Sequence, residues 1–95
     1  MPNWFSLTRK SNPEAGPVPL ITVDEELCKF LNLPVDPKRY CGEWYGHIGL
    51  ALACGKSFAE IRIDMENIED EFTEIYIKMV DWFDEHFISD CWAER

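Results

Sequence analysis

Ile68, Phe72, Ile75, Met79, Phe83 and Phe87 recur at steps of three and four residues. That period sets them on one stripe of an α-helix of about five turns, which must bury its apolar side. Glu69, Asp70 and Glu71 load the start of this helix with acids, as the helix dipole favours, and Lys78 is its only base. A chain of 95 residues makes one domain, 1–95, and a domain this small buries a modest share of its surface. The helix is therefore expected to form a main wall of the core. An aromatic content of 14% supplies large side chains to pack against it.

The upstream segments supply the other walls. Residues 4–8 and 19–23 are rich in β-formers and are separated by the turn-rich run RKSNPEAGPV, so a short antiparallel ribbon is expected over residues 1–23. Such a ribbon must pack on the rest of the chain. Thr22 and Glu25 have the spacing of a capping box, opening a short helix to about Leu31 that Pro34 ends. Asp36-Pro37 is an N-cap followed by proline at the first helical position, predicting a helix to about Cys54 with Gly55 as its stop. Gly42, Gly46, Gly49 and Ala53 share one stripe of that helix. Each interior glycine costs about 1 kcal/mol relative to alanine, which predicts that another element approaches the backbone along the stripe. Ser57 and Glu60 form a second capping-box pattern, and its helix runs through Phe58, Ile61 and Met65. Glu66-Asn67 is a poor helix interior, so two helices with a short joint are expected rather than one long one. The expected fold is mainly α, in the α+β sense: about four helices over residues 24–95 with a short N-terminal antiparallel β-ribbon.

Charge is divided unevenly along the chain. Residues 1–56 carry six acids and six bases, whereas residues 57–95 carry twelve acids and three bases, so the whole net charge of −9 lies in the second part. Such a field repels nucleic acid and membrane surfaces and attracts basic protein surfaces. The excess exceeds what solubility needs. It reads as a face that mimics nucleic-acid phosphates or docks in a basic protein groove, with Glu66, Glu69, Asp70, Glu74, Asp81 and Glu85 as the candidate partner-binding residues.

Other chemistry finds weak footing. Gly55-Lys56-Ser57 has the residues that end a phosphate-binding loop, but Gly49 is misplaced for the full pattern and the preceding segment reads as helix. A helix stop followed by an N-cap explains it. Ala51, Gly55 and Ile61 have the spacing of a helix-turn-helix, with Leu50 and Cys54 at further buried positions. Lys56 and Asp64 depart from that pattern, and the segment lacks the basic footprint that DNA binding needs. A small DNA-binding regulator using residues 50–64 is the alternative reading. Cys28, Cys41, Cys54, Cys91, His47 and His86 show no C-x-x-C or H-x-x-x-H pair, so no metal and no cofactor are expected. No nucleophile, base and orienting group stand at an interpretable spacing, and a non-enzymatic protein is expected. No stretch approaches a membrane span. MPNWFSLTRK has no apolar region of a secretory signal, which predicts reduced thiols in a cytosol. The glycine stripe and the aromatic surplus also raise a homo-oligomeric sequestering or structural protein as a third reading.

The segments LTRKSNPEAGPVPLITVDEELC, VDPKRYCGEWYGHIGLALACGKSFAEIR and MVDWFDEHFISDCW resemble a group of small uncharacterised accessory proteins of tailed phages and prophages, over nearly the whole chain. The resemblance supplies no catalytic residues. It implies a location in the bacterial host cytoplasm and an accessory role against a host protein, in the manner of inhibitors of host defence such as anti-CRISPR proteins.

Overall fold

The computed structural model describes residues 3–33, 44–68 and 71–93. Its elements in chain order are strand β1 (Asn3–Arg9), a 3₁₀ turn at Pro13–Ala15, helix α1 (Leu20–Leu31), a π-helical turn at Trp44–Gly49 leading into helix α2 (Leu50–Ala53), helix α3 (Phe58–Glu66), helix α4 (Thr73–His86) and strand β2 (Phe87–Ala93). Four helices and one antiparallel pair of strands agree with the expected class. The partner of the first strand does not.

β1 pairs with β2, not with residues 19–23, in a register that sets Phe5 opposite Cys91, Leu7 opposite Ser89 and Arg9 opposite Phe87. Of the expected N-terminal ribbon there remains an isolated bridge between Thr8 and Pro17 and a bond from the Val18 N–H to the Leu7 carbonyl at 2.8 Å. Residues 20–23 are instead the first turn of α1. The Pro19 carbonyl accepts the N–H groups of Thr22 and Val23, so the helix starts ahead of the Thr22–Glu25 pattern and makes no capping box there. The gain is burial: Val23 and Leu27 enter the core from one face of α1. Asn32 closes the helix in the left-handed conformation, with φ 58°, a common C-terminal stop.

The end of the long amphipathic stripe is a second correction. Phe87 keeps the four-residue step from Phe83, yet its backbone is extended, with φ −131° and ψ 154°. Chain direction changes there, and FISDCWA runs back along β1. The ring still reaches the core, because Phe87 is fully buried at the first position of the strand. A stripe read at helical period thus carries over into a strand whose first residue faces the same interior.

The helix start also moves, from Ile68 to Thr73. α3 ends at Glu66 with Asn67 as its C-cap, so there are two helices, as the poor Glu66-Asn67 interior predicts. The Ser57–Glu60 capping box is present in both directions: the Ser57 hydroxyl accepts from the Glu60 N–H, and the Glu60 carboxylate accepts from the Ser57 N–H. Gly55, at φ 86°, makes the turn between α2 and α3, a conformation that glycine adopts without strain.

The helix expected from Pro37 lies outside the described residues up to Glu43, Gly42 included. From Trp44 it is helical. A Cβ on Gly49 would meet the Phe5 ring at 3.6 Å, whereas one on Gly46 would meet nothing within 4 Å. The close approach predicted for the stripe therefore occurs at Gly49 and not at Gly46.

One core joins these elements. Leu7 of β1, Val23 and Leu27 of α1, Trp44, Ile48 and Leu52 of the second helical segment, Phe58 and Ile61 of α3, Met79, Val80 and Phe83 of α4, and Phe87 of β2 form a single buried cluster. Phe83 lies near its centre. Its ring centroid is 5.1 Å from that of Trp44 and 6.3 Å from those of Phe58 and Phe87.

Candidate protein-docking surface

α3 and α4 pack against each other with their outer faces in solvent, and folding sorts the acids into two groups. The first group is paired. Arg62 of α3 donates from Nε to Asp81 of α4 at 2.7 Å and also bonds Glu66 one turn further along α3. Two of the six candidate residues, Glu66 and Asp81, are thus held by the same guanidinium. Lys56 pairs with Asp64, and Lys10 reaches the Asp84 carboxylate at 3.8 Å. The Lys56 ammonium is held above its usual range by the hydrogen bond to Asp64 and then by that carboxylate's charge. Lys10 and Lys56 come from the balanced part of the sequence, so the charge division read along the chain is softened in space.

The second group is left unmatched among the described residues. Glu71, Glu74 and Glu85 are exposed, and none of them has an ion pair among the described residues. Glu74, Lys78, Asp81 and Glu85 follow one another at three- and four-residue steps, so they share the solvent stripe of α4. Lys78 leans toward α1, with its ammonium 5.3 Å from the centre of the Phe30 ring. Glu69 and Asp70, the remaining two candidates, lie outside the described residues.

Sequence reasoning missed the apolar part of this surface. Ile63 is 58% exposed, Ile68 40% and Phe72 46%. They stand at the end of α3 and the start of α4, interleaved with Glu66, Glu71 and Glu74. Ile68 and Phe72 belong to the stripe that the helical period predicts to be buried, but α4 begins only at Thr73, so both precede the helix and escape that burial. For Ile63 the signal was present: Phe58, Ile61 and Met65 account for the buried face of α3, and Ile63 lies off it. Phe72 is backed by Tyr76, ring centroids 6.4 Å apart, and Tyr76 by the His47 ring at 5.5 Å. The exposed phenyl therefore rests on an aromatic support.

The helix-turn-helix positions give a different picture. Ile61 is buried and Ala51 half-buried, but Leu50 is 65% exposed and Cys54 is also exposed. The two expected buried positions are thus corrected: α2 is only four residues long, and its turn into α3 leaves both on the outside. The two residues that departed from the pattern, Lys56 and Asp64, pair with each other. No group of three or more His, Cys, Asp or Glu side chains capable of holding a metal occurs among the described residues. No helix among them is long and apolar enough to cross a membrane.

Comparison with known proteins found no matching family model, no matching curated protein and no matching solved structure.

Proposed function

We propose that this chain is a non-enzymatic, phage-encoded accessory protein that binds a host protein through the surface around the α3–α4 joint, inhibiting a host defence or nucleic-acid-handling complex in the bacterial cytoplasm. The observation that carries the reading is the combination at that joint. Exposed Ile63, Ile68 and Phe72 stand among carboxylates, of which Glu71 and Glu74 have no ion pair among the described residues. Apolar anchors supply affinity when they fill a partner's pockets. The surrounding acids steer the encounter toward a basic groove and reject acidic surfaces. A protein whose ordinary ligand is nucleic acid presents such a groove. The phage resemblance supplies the host context.

The test is affinity capture from host lysate at low and high salt, with the charge variant Glu71→Lys/Glu74→Lys and the apolar variant Ile63→Ser/Phe72→Ser run beside the wild type. The expected result is a host protein retained at low salt, released at high salt and lost from both variants. Capture that is unchanged in both variants, or recovery of nucleic acid without protein, contradicts the proposal. The second of these outcomes would favour the helix-turn-helix reading.

A further inference from the structure

Two cysteines away from the docking surface converge on one point of the chain. Cys91 lies on β2 opposite Phe5, and its thiol donates to the Ala53 carbonyl at 3.0 Å. Ala53 is the last residue of α2, and Cys54 follows it as the C-cap. The same sulfur lies 4.0 Å from the point where a Cβ on Gly55 would stand. Cys91 therefore bonds the residue before Cys54 and lines one cavity with the residue after it. Standard peptide dimensions set a carbonyl oxygen about 2.8 Å from the next Cα, so the Cys91 sulfur is within about 6 Å of the Cys54 Cα. A disulfide sets each sulfur about 3 Å from the partner's Cβ, one bond beyond that Cα, so Cys54 closes one by turning its Cβ–Sγ bond toward Cys91 together with a shift at the end of α2. α2 has four residues and Gly55 behind it carries the turn, so the shift disturbs only the bonds from the Cys54, Gly55 and Lys56 N–H groups to the Leu50, Ala51 and Leu52 carbonyls.

The accessibilities are ordered for a two-step oxidation. Cys54 is exposed, Cys91 is partly buried and Cys28 is buried. The Cys91 side borders an open cavity of about 360 Å³ lined by Leu52, Gly55, Lys56, Ser57, Ser89 and Cys91 among others.

We infer that Cys54 and Cys91 form a reversible disulfide, with Cys54 as the site of attack by a peroxide and Cys91 as the resolving thiol. The Cys54 thiolate attacks one peroxide oxygen, the O–O bond breaks, and with one proton the products are a sulfenic acid and water. The Cys91 thiolate then attacks the Cys54 sulfur, the S–S bond forms, the S–O bond breaks, and hydroxide leaves with the Cys91 proton as a second water. Two thiols are oxidised and one hydrogen peroxide is reduced. A small-molecule dithiol reverses the step by thiol exchange. The bond would strap β2 to the turn between α2 and α3, so the corner that starts α3 becomes covalently tied to the ribbon.

The test uses the full chain treated with one equivalent of hydrogen peroxide, then blocked with N-ethylmaleimide, digested with trypsin and analysed by mass spectrometry. The expected product is an intramolecular link between the peptide of residues 40–56 and that of residues 79–95, removed by dithiothreitol. Cys41 shares the first peptide, so Cys41→Ser must keep the link and Cys54→Ser must lose it. In Cys91→Ser, dimedone should label Cys54. Alkylation of both Cys54 and Cys91 after peroxide treatment overturns the inference, as does a link that Cys41→Ser abolishes. Fragmentation of the linked wild-type peptides shows whether Cys41 or Cys54 carries the bond, and so decides the matter even where a variant fails to fold.

Discussion

Replacing Asp24 by alanine should cost more stability than any other change to a charged residue among those described. Asp24 is 1% exposed and Trp44 is fully buried, and the indole Nε1–H donates to Asp24 Oδ1 at 2.7 Å. The bond joins α1 to the start of the second helical segment, and Trp44 in turn packs on Phe83. A buried hydrogen bond contributes about 0.5–1.5 kcal/mol net, and leaving the buried indole N–H without its acceptor adds a desolvation cost of about 1–3 kcal/mol. Asp24→Ala is therefore expected to destabilise by about 2–4 kcal/mol, a large fraction of the 5–15 kcal/mol that holds a typical domain together. Asp24→Asn keeps a carbonyl acceptor in place and should cost about half as much on the same reasoning. Urea unfolding followed by far-UV circular dichroism gives each value. Asp24 has further interactions, so the pair must be isolated by a double-mutant cycle with Trp44→Phe, for which a coupling of about 1–2 kcal/mol is expected. A coupling near zero, with Asp24→Ala within about 0.5 kcal/mol of the wild type, would refute the claim that this bond fastens α1 to the core.

Phe83→Ala should cost about 3–5 kcal/mol, since it empties a fully buried site between Trp44, Phe58 and Phe87, and loss of the cooperative thermal transition would report it. Ser57→Ala removes the capping box of α3 and should cost about 1 kcal/mol in urea unfolding. Gly46→Ala should stabilise by about 0.5–1 kcal/mol, because a Cβ there meets open space and alanine favours helix; a loss of stability would show a close approach at that position after all. Arg62→Ala should change stability by less than about 1 kcal/mol, because its ion pairs are exposed. It should also release Glu66 and Asp81, and so steepen the salt dependence of partner binding.

The helical part of the fold was legible where a local pattern had no competitor. Ser57 and Glu60 cap each other because both residues stand at a helix start that nothing else disputes. The α3–α4 break follows from Glu66-Asn67. The ribbon was misread because its pairing is long-range. Residues 19–23 and 87–93 both contain β-formers, and only the assembled core decides which of them lies beside β1. Pro19 tips residues 20–23 toward helix by standing at its N-cap. The Phe83–Phe87 step concealed the strand that Phe87 begins. At the candidate surface, composition identified the excess of acid but not which carboxylates would be matched. Arg62 takes two of them from α3 and α4, Lys56 takes Asp64 eight residues on, and Lys10 takes Asp84 from 74 residues away. The exposed Ile68 and Phe72 were hidden by a helical period that extends past the helix itself.

The central claim is that carboxylates and apolar groups at the α3–α4 joint dock together on a basic protein groove. Its most direct measurement is the affinity of the captured host protein, once purified, for the wild type and for Glu71→Lys/Glu74→Lys across a series of salt concentrations. Wild-type binding should weaken steadily as salt rises, and binding by the variant should be much weaker and less salt-dependent. Equal affinities and equal salt dependence for the two proteins would contradict it.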